Sequence, residues 1–62
     1  MSEFTDRLAS SYAGRIKHTR LRLGESQTEF GSRFGVGRKT VQKWEAGTMP
    51  RPKYRAMLDD LL

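Results

Sequence analysis

Apolar positions in the first third of the chain recur at helical spacing. Phe4, Leu8, Tyr12, Ile16 and Leu23, with Thr19 among them, fall at intervals of 4, 4, 4, 3 and 4. That pattern predicts one long helix over residues 4–23. Gly14 lies inside it, where glycine costs about 1 kcal/mol against alanine and marks a place for a break. Gly24 follows Leu23 as a stop signal. A second helix is predicted over residues 27–34. It opens on Ser26-Gln27-Thr28-Glu29, a capping box in which serine and glutamate each satisfy the other's backbone amide. Phe30 and Phe34 share its inner side, and Gly35 closes it. A third helix, over 38–46, stops at Gly47. A fourth, over 52–62, begins with Pro52 at the first helical position and carries Tyr54, Met57, Leu58, Leu61 and Leu62 as its inner stripe. The stretch GTMPR is a loop, and no run alternates as a strand does. The expected fold is all-α, compact, with four helices or alternatively five around one small core.

Size and charge narrow the picture. Sixty-two residues make a single domain, 1–62, burying only about 60% of the surface that the unfolded chain exposes. With no cysteine, neither disulfides nor a thiolate zinc site can brace it. His18 is the only histidine and has no clustered carboxylates at ligand spacing, so neither metal nor cofactor is expected. No pair of carboxylates, activated nucleophile or Gly-rich phosphate loop suggests an enzyme. Lysine and arginine number 12 against 7 acids, a formal charge of +5 with a pI near 10.3. Such an excess suits a polyanionic partner. Residues 14–23 hold Arg15, Lys17, Arg20 and Arg22 without an acid, and 51–55 hold Arg51, Lys53 and Arg55 without one. A charge run alone is equally a solvated face. No apolar run approaches the roughly 20 residues of a membrane span, and MSEFTDRLAS is no secretory signal. A cytoplasmic protein is expected.

The third helix decides between a solvated face and a partner. At roughly 100° per residue, Thr40, Val41 and Trp44 fall on one side with Glu45 at its edge. Arg38, Lys39, Gln42, Lys43 and Ala46 fill the other arc. An ordinary surface helix mixes signs for i, i+4 pairing, whereas Lys39 and Lys43 are a like-charge pair that costs a few tenths of a kcal/mol unless something negative faces it. The preceding residues fit two short helices crossing steeply. Gly31 has no side chain where they approach, Gly35 permits positive φ at the turn, and Val36 plugs the corner.

From Arg20 to Pro52 the chain meets, without a gap, the pattern R-x3-G-x-S-Q-x2-F-G-x2-F-G-V-x4-V-x2-W-E-x-G-x3-R-P. At these residues it resembles the helix-turn-helix of the lambdoid phage repressor and Cro family, also called the Xre family. The resemblance implies a lambda-repressor-like helical domain that inserts its third helix into the DNA major groove. It implies a DNA-binding transcription regulator, most simply a small phage or bacterial repressor. The partner that the resemblance implies is double-stranded DNA, and a palindromic operator bound by a homodimer is the expectation that goes with it. Carried over by position, Arg38, Lys39, Gln42 and Lys43 are the base-reading candidates, with Gln27 holding the backbone and reaching towards a base. Arginine and lysine can donate to guanine O6 and N7, and glutamine can pair with adenine. Ser26, Thr40, Arg51 and Lys53 are candidates for phosphate or the minor groove, Ser26 because a helix N-terminus is electropositive. Thr40 serves equally for packing. Arg20 and Glu45 match a structural ion pair between the first and third helices, and Trp44 belongs to the core.

Three departures from the family pattern stand out. Gly37 replaces the usual Ser or Thr cap of the third helix. Thr19 and Glu25 replace apolar residues, thinning the core. The fifth helix, often the dimer surface in relatives, has no counterpart up to Leu62. A rival reading is an antitoxin-like or adaptor module whose main target is a protein, marked by exposed apolar surface around Phe4 and Leu8 or Leu61 and Leu62. A non-specific RNA or single-strand binder would need exposed aromatics for stacking, and the aromatics here have core assignments.

Overall fold

A computed structural model of the chain describes residues 11–62. Ser11 has an extended backbone (φ −78°, ψ 158°), and its hydroxyl accepts from the Gly14 amide at 2.9 Å. Helix α1, Tyr12–Arg22, therefore starts here. The single helix expected over 4–23 is corrected at this point, because an N-cap residue sits outside the helical region of φ/ψ space. Gly14 is not a break but the third residue of α1, and its amide is the one capped. Phe4 and Leu8 lie outside the described residues.

Three further helices follow, and among the described residues there is no strand. Helix α2, Gln27–Ser32, carries both halves of its capping box: the Glu29 amide donates to Ser26 Oγ at 3.0 Å, and the Ser26 amide to Glu29 Oε1 at 2.8 Å. It stops two residues short of the expected end. Phe34 and Val36 instead donate their amides to the Gly31 carbonyl, both at 3.0 Å, folding the chain into a turn. Helix α3 is Arg38–Glu45 and helix α4 is Pro52–Leu61, with proline at its first position.

The core lies where these helices meet. Ile16, Phe30, Phe34, Val41, Trp44 and Leu58 are buried, with Tyr12, Val36, Tyr54 and Leu62 packed around them. Phe30, Phe34 and Trp44 meet edge to face, with ring centres 5.2 and 5.8 Å apart, and Tyr54 joins Trp44 at 5.7 Å. Such contacts favour one arrangement of the rings beyond simple burial. Trp44 is therefore core. Met57, Leu61 and Leu23 are 43%, 38% and 43% exposed, which corrects their place on the inner stripes. Helix α4 meets the core along one narrow row, Tyr54, Leu58 and Leu62, spaced by four. Met57 and Leu61 lie about 100° and 60° round from the middle of that row. Leu23 stands just beyond the last turn of α1.

Two contacts fix α3. At Gly31 of α2, a Cβ would stand 2.6 Å from the Val36 carbonyl oxygen and 3.2 Å from Val41 Cγ2. Only glycine allows the helices to come so near. Gly35 supplies the positive φ, 71°, that turns the chain between them. The second contact is polar. Arg20 donates from Nε to Glu45 Oε2 at 2.7 Å and from Nη2 to Glu45 Oε1 at 3.2 Å. Its Nη1 donates to the Glu25 carbonyl at 2.9 Å, and Gln27 Nε2 donates to Glu45 Oε1 at 3.2 Å. The arginine and glutamate side chains are only 12% and 7% exposed. The Glu45 carboxylate thus ties α3 to α1 and α2, and the Arg20 guanidinium ties the loop after α1 to the same network.

Two exposed side-chain pairs complete the frame. Glu25 does not merely thin the core: its carboxylate takes Nε and Nη2 of Arg33, the closest approach being 2.6 Å. Those hydrogen bonds hold the Glu25 carboxyl below its ordinary value. Tyr12 donates its hydroxyl to Asp59 at 2.9 Å, joining α1 to α4. Burial first, then this bond, raises the phenol above its ordinary value.

Replacing Gly31 by alanine should cost about 1–3 kcal/mol, the usual penalty for overpacking a tight contact. Replacing Gly37 by serine should do the reverse. Gly37 caps α3 with extended backbone and no side-chain bond, and an added Cβ meets nothing within 4 Å. Serine should add a few tenths of a kcal/mol. Urea denaturation of both variants checks the opposite signs.

Glu25 predicts a pH dependence. Its folded-state pKa is depressed, so the stability it contributes is present above the ordinary value near 4.5 and is lost as pH falls through the lower folded value. Glu25→Gln should melt below the wild type at neutral pH, and the gap should close in acid. Melting curves at a series of pH values read this directly.

Candidate nucleic-acid interface

Helix α3 owes its two-sidedness to the order of its residues. Val41 and Trp44 are buried, whereas Arg38, Lys39, Gln42 and Lys43 are exposed. Glu45, the only acid on α3, turns its carboxylate away to Arg20 and Gln27. Among the described residues no carboxylate pairs with any of the three cations on this arc. The outer arc is therefore a row of long donors without an anion of their own.

The arc continues into a groove of about 450 Å³. Thr40 and Lys43 line it from α3, Thr48 and Met49 from the loop, and Arg51 and Lys53 from the start of α4. Lys53 lies over the Tyr54 ring, 4.9 Å from its centre, which steadies the ammonium by attraction to the ring face. Val36, Trp44 and Tyr54 form the apolar floor. Cations and hydroxyls along a shallow groove suit a line of phosphates. Donors on an exposed helix suit the edges of bases.

The sequence candidates thus separate. Arg38, Lys39, Gln42 and Lys43 come together on α3. Thr40, half-buried, joins Arg51, Lys53 and Lys43 along the groove. Gln27 is half-buried, with its amide nitrogen on Glu45, leaving its side-chain oxygen as the open acceptor. Ser26 is committed to its capping box. The anion drawn to the α2 terminus is the chain's own Glu29 carboxylate, which competes with a phosphate there. Arg20 and Glu45 meet as a bidentate pair.

Thr48 and Met49 were not among the sequence candidates. Their signal was present in GTMPR, where an apolar residue stands in a polar loop beside Arg51. Among the described residues no three His, Cys, Asp or Glu side chains cluster to hold a metal ion. No described helix is long and apolar enough to cross a membrane.

A family model described as Helix-turn-helix matches residues 16–54, well over half of the chain. No curated protein and no solved structure matches it. The matched span runs from Ile16 in the core, through the Gly31 crossing and the exposed arc of α3, to Tyr54 beside the basic groove. The chain belongs to the helix-turn-helix family of the repressor and Cro type, and is a DNA-binding regulator of that kind.

Proposed function

We propose that this chain is a sequence-specific repressor of phage or bacterial type, acting in the cytoplasm by occupying an operator that RNA polymerase needs. The observation that carries the reading is the acid-free outer arc of α3, continuous with the basic groove beside it. Laid in a major groove, Arg38, Lys39 and Lys43 donate to guanine O6 and N7, and Gln42 pairs with adenine N6 and N7. Gln27, its nitrogen held by Glu45, offers its oxygen to a base amino group. Thr40, Arg51 and Lys53 follow the phosphates, with Ser26 contributing its hydroxyl hydrogen. Residues 1–62 act as one binding unit. Two copies on a palindromic operator place their α3 helices one helical turn apart, about 34 Å.

A second reading has one observation in its favour. Leu23, Leu61 and Leu62 line a cleft with Thr19 and Arg22, away from the outer arc of α3. An adaptor or antitoxin-like module would use such a surface for a protein partner. Co-purification with a second protein that survives loss of Arg38 and Lys43 would favour that reading over repression.

Titration of a cognate duplex at several salt concentrations tests the proposal. Arg38→Ala or Lys43→Ala should cost about 1–3 kcal/mol on the cognate site and relax preference at one base pair. Lys53→Ala should weaken all sequences alike and lower the slope of log affinity against log salt by about 1. Equal losses on every sequence from all three changes would mean that no base is read.

A further inference from the structure

We infer that Met49 is an apolar wedge that enters the DNA minor groove beside the site read by α3 and unstacks a base step there. The inference rests on the proposed DNA reading and adds a contact that α3 does not make. Among the described residues with large exposed apolar side chains, Met49 alone lines the basic groove. The others, Leu21, Leu23, Met57 and Leu61, lie on or just beyond α1 and on α4. Met49 is 56% exposed, yet its neighbours are anchored. The Thr48 amide donates to the Lys43 carbonyl at 2.9 Å, and Pro50 on the other side is buried. The chain therefore holds this side chain out from a fixed support.

A row of phosphates gives nothing to an apolar side chain. The apolar surfaces that duplex DNA offers are sugar edges, base faces and thymine methyls. A recognition helix lies in the major groove with its first residues at the base edges, so with α3 seated in this way its far end, after Glu45, and the loop that follows stand towards the strand that divides major from minor groove. Arg51 and Lys53, two and four residues further on, take phosphates of that strand, and Met49 reaches past them into the minor groove. Methionine is a recognised wedge at such sites, and its unbranched thioether adapts to an irregular gap. Pyrimidine–purine steps unstack most easily, so the wedge adds a preference for one of them outside the bases that α3 touches.

The test uses the full chain and a duplex chosen for specific binding, with end labels for energy transfer and 2-aminopurine at the flanking step. Wild-type protein should shorten the end-to-end distance and raise 2-aminopurine fluorescence. Met49→Ala should abolish both signals and weaken binding about tenfold, the order expected from losing one partly buried methionine, while keeping the preference at bases read by α3. Met49→Leu should retain both signals. Specific binding by Met49→Ala with bending and fluorescence unchanged would overturn the wedge and leave the DNA reading intact. So would specific binding by the wild type without any bend. Failure of the wild type to prefer any duplex would overturn the DNA reading, and the wedge with it.

Discussion

Everything this protein presents to a partner depends on how closely α2 and α3 approach at Gly31. A Cβ there would lie 2.6 Å from the Val36 carbonyl oxygen of the turn, well inside van der Waals contact, and 3.2 Å from Val41 Cγ2 of α3. The absence of one side chain thus sets the distance between the helices. The Gly31 carbonyl then accepts from both Phe34 and Val36, so the same residue shapes the turn that delivers α3. Behind it, Phe30, Phe34, Val41 and Trp44 close the space. With the inner side of α3 filled in this way, the rotation of the helix is no longer free. Arg38, Lys39, Gln42 and Lys43 must point outward.

The polar network on Glu45 completes this constraint and also clears the surface of negative charge. A carboxylate left free on α3 would have attracted Lys39 or Lys43 and repelled DNA. Here it accepts from Arg20 twice and from Gln27 once. Bidentate arginine–carboxylate geometry has directional specificity as well as strength. With both side chains nearly withdrawn from solvent, loss of either partner strands a charge in the interior, a costly outcome for a small domain. Structural and functional demands meet in one residue: pairing Glu45 inward holds α3 and leaves its outer arc purely basic and polar.

Local rules made much of this legible in the sequence. The capping box at Ser26 and Glu29, the crossing at Gly31, the turn at Gly35 and the two-sidedness of α3 each follow from residues a few positions apart. Features that depend on distant partners were harder to read. The spacing of four that links Leu8 to Tyr12 runs straight across Ser11, so periodicity alone joined what a cap divides. Exposure of Met57 and Leu61 depends on how narrow a row of α4 meets the core, which no pattern within α4 reveals. Glu25 looked like a lost apolar residue because its partner, Arg33, lies beyond the far end of α2. The hold of Glu45 on the Gln27 side-chain nitrogen is not visible locally because Glu45 is 18 positions away. Thr48 and Met49 became part of the candidate interface only once the loop was folded beside Arg51.

The central claim is that the outer arc of α3 reads base edges, and selection from a pool of random duplexes tests it most directly. The account predicts that bound molecules converge on a short motif of adjacent guanine- and adenine-containing pairs, repeated as a palindrome with about one helical turn between half-site centres. Retention of the pool without enrichment of any sequence would contradict it, leaving the basic surface as a charge that DNA neutralises and nothing more.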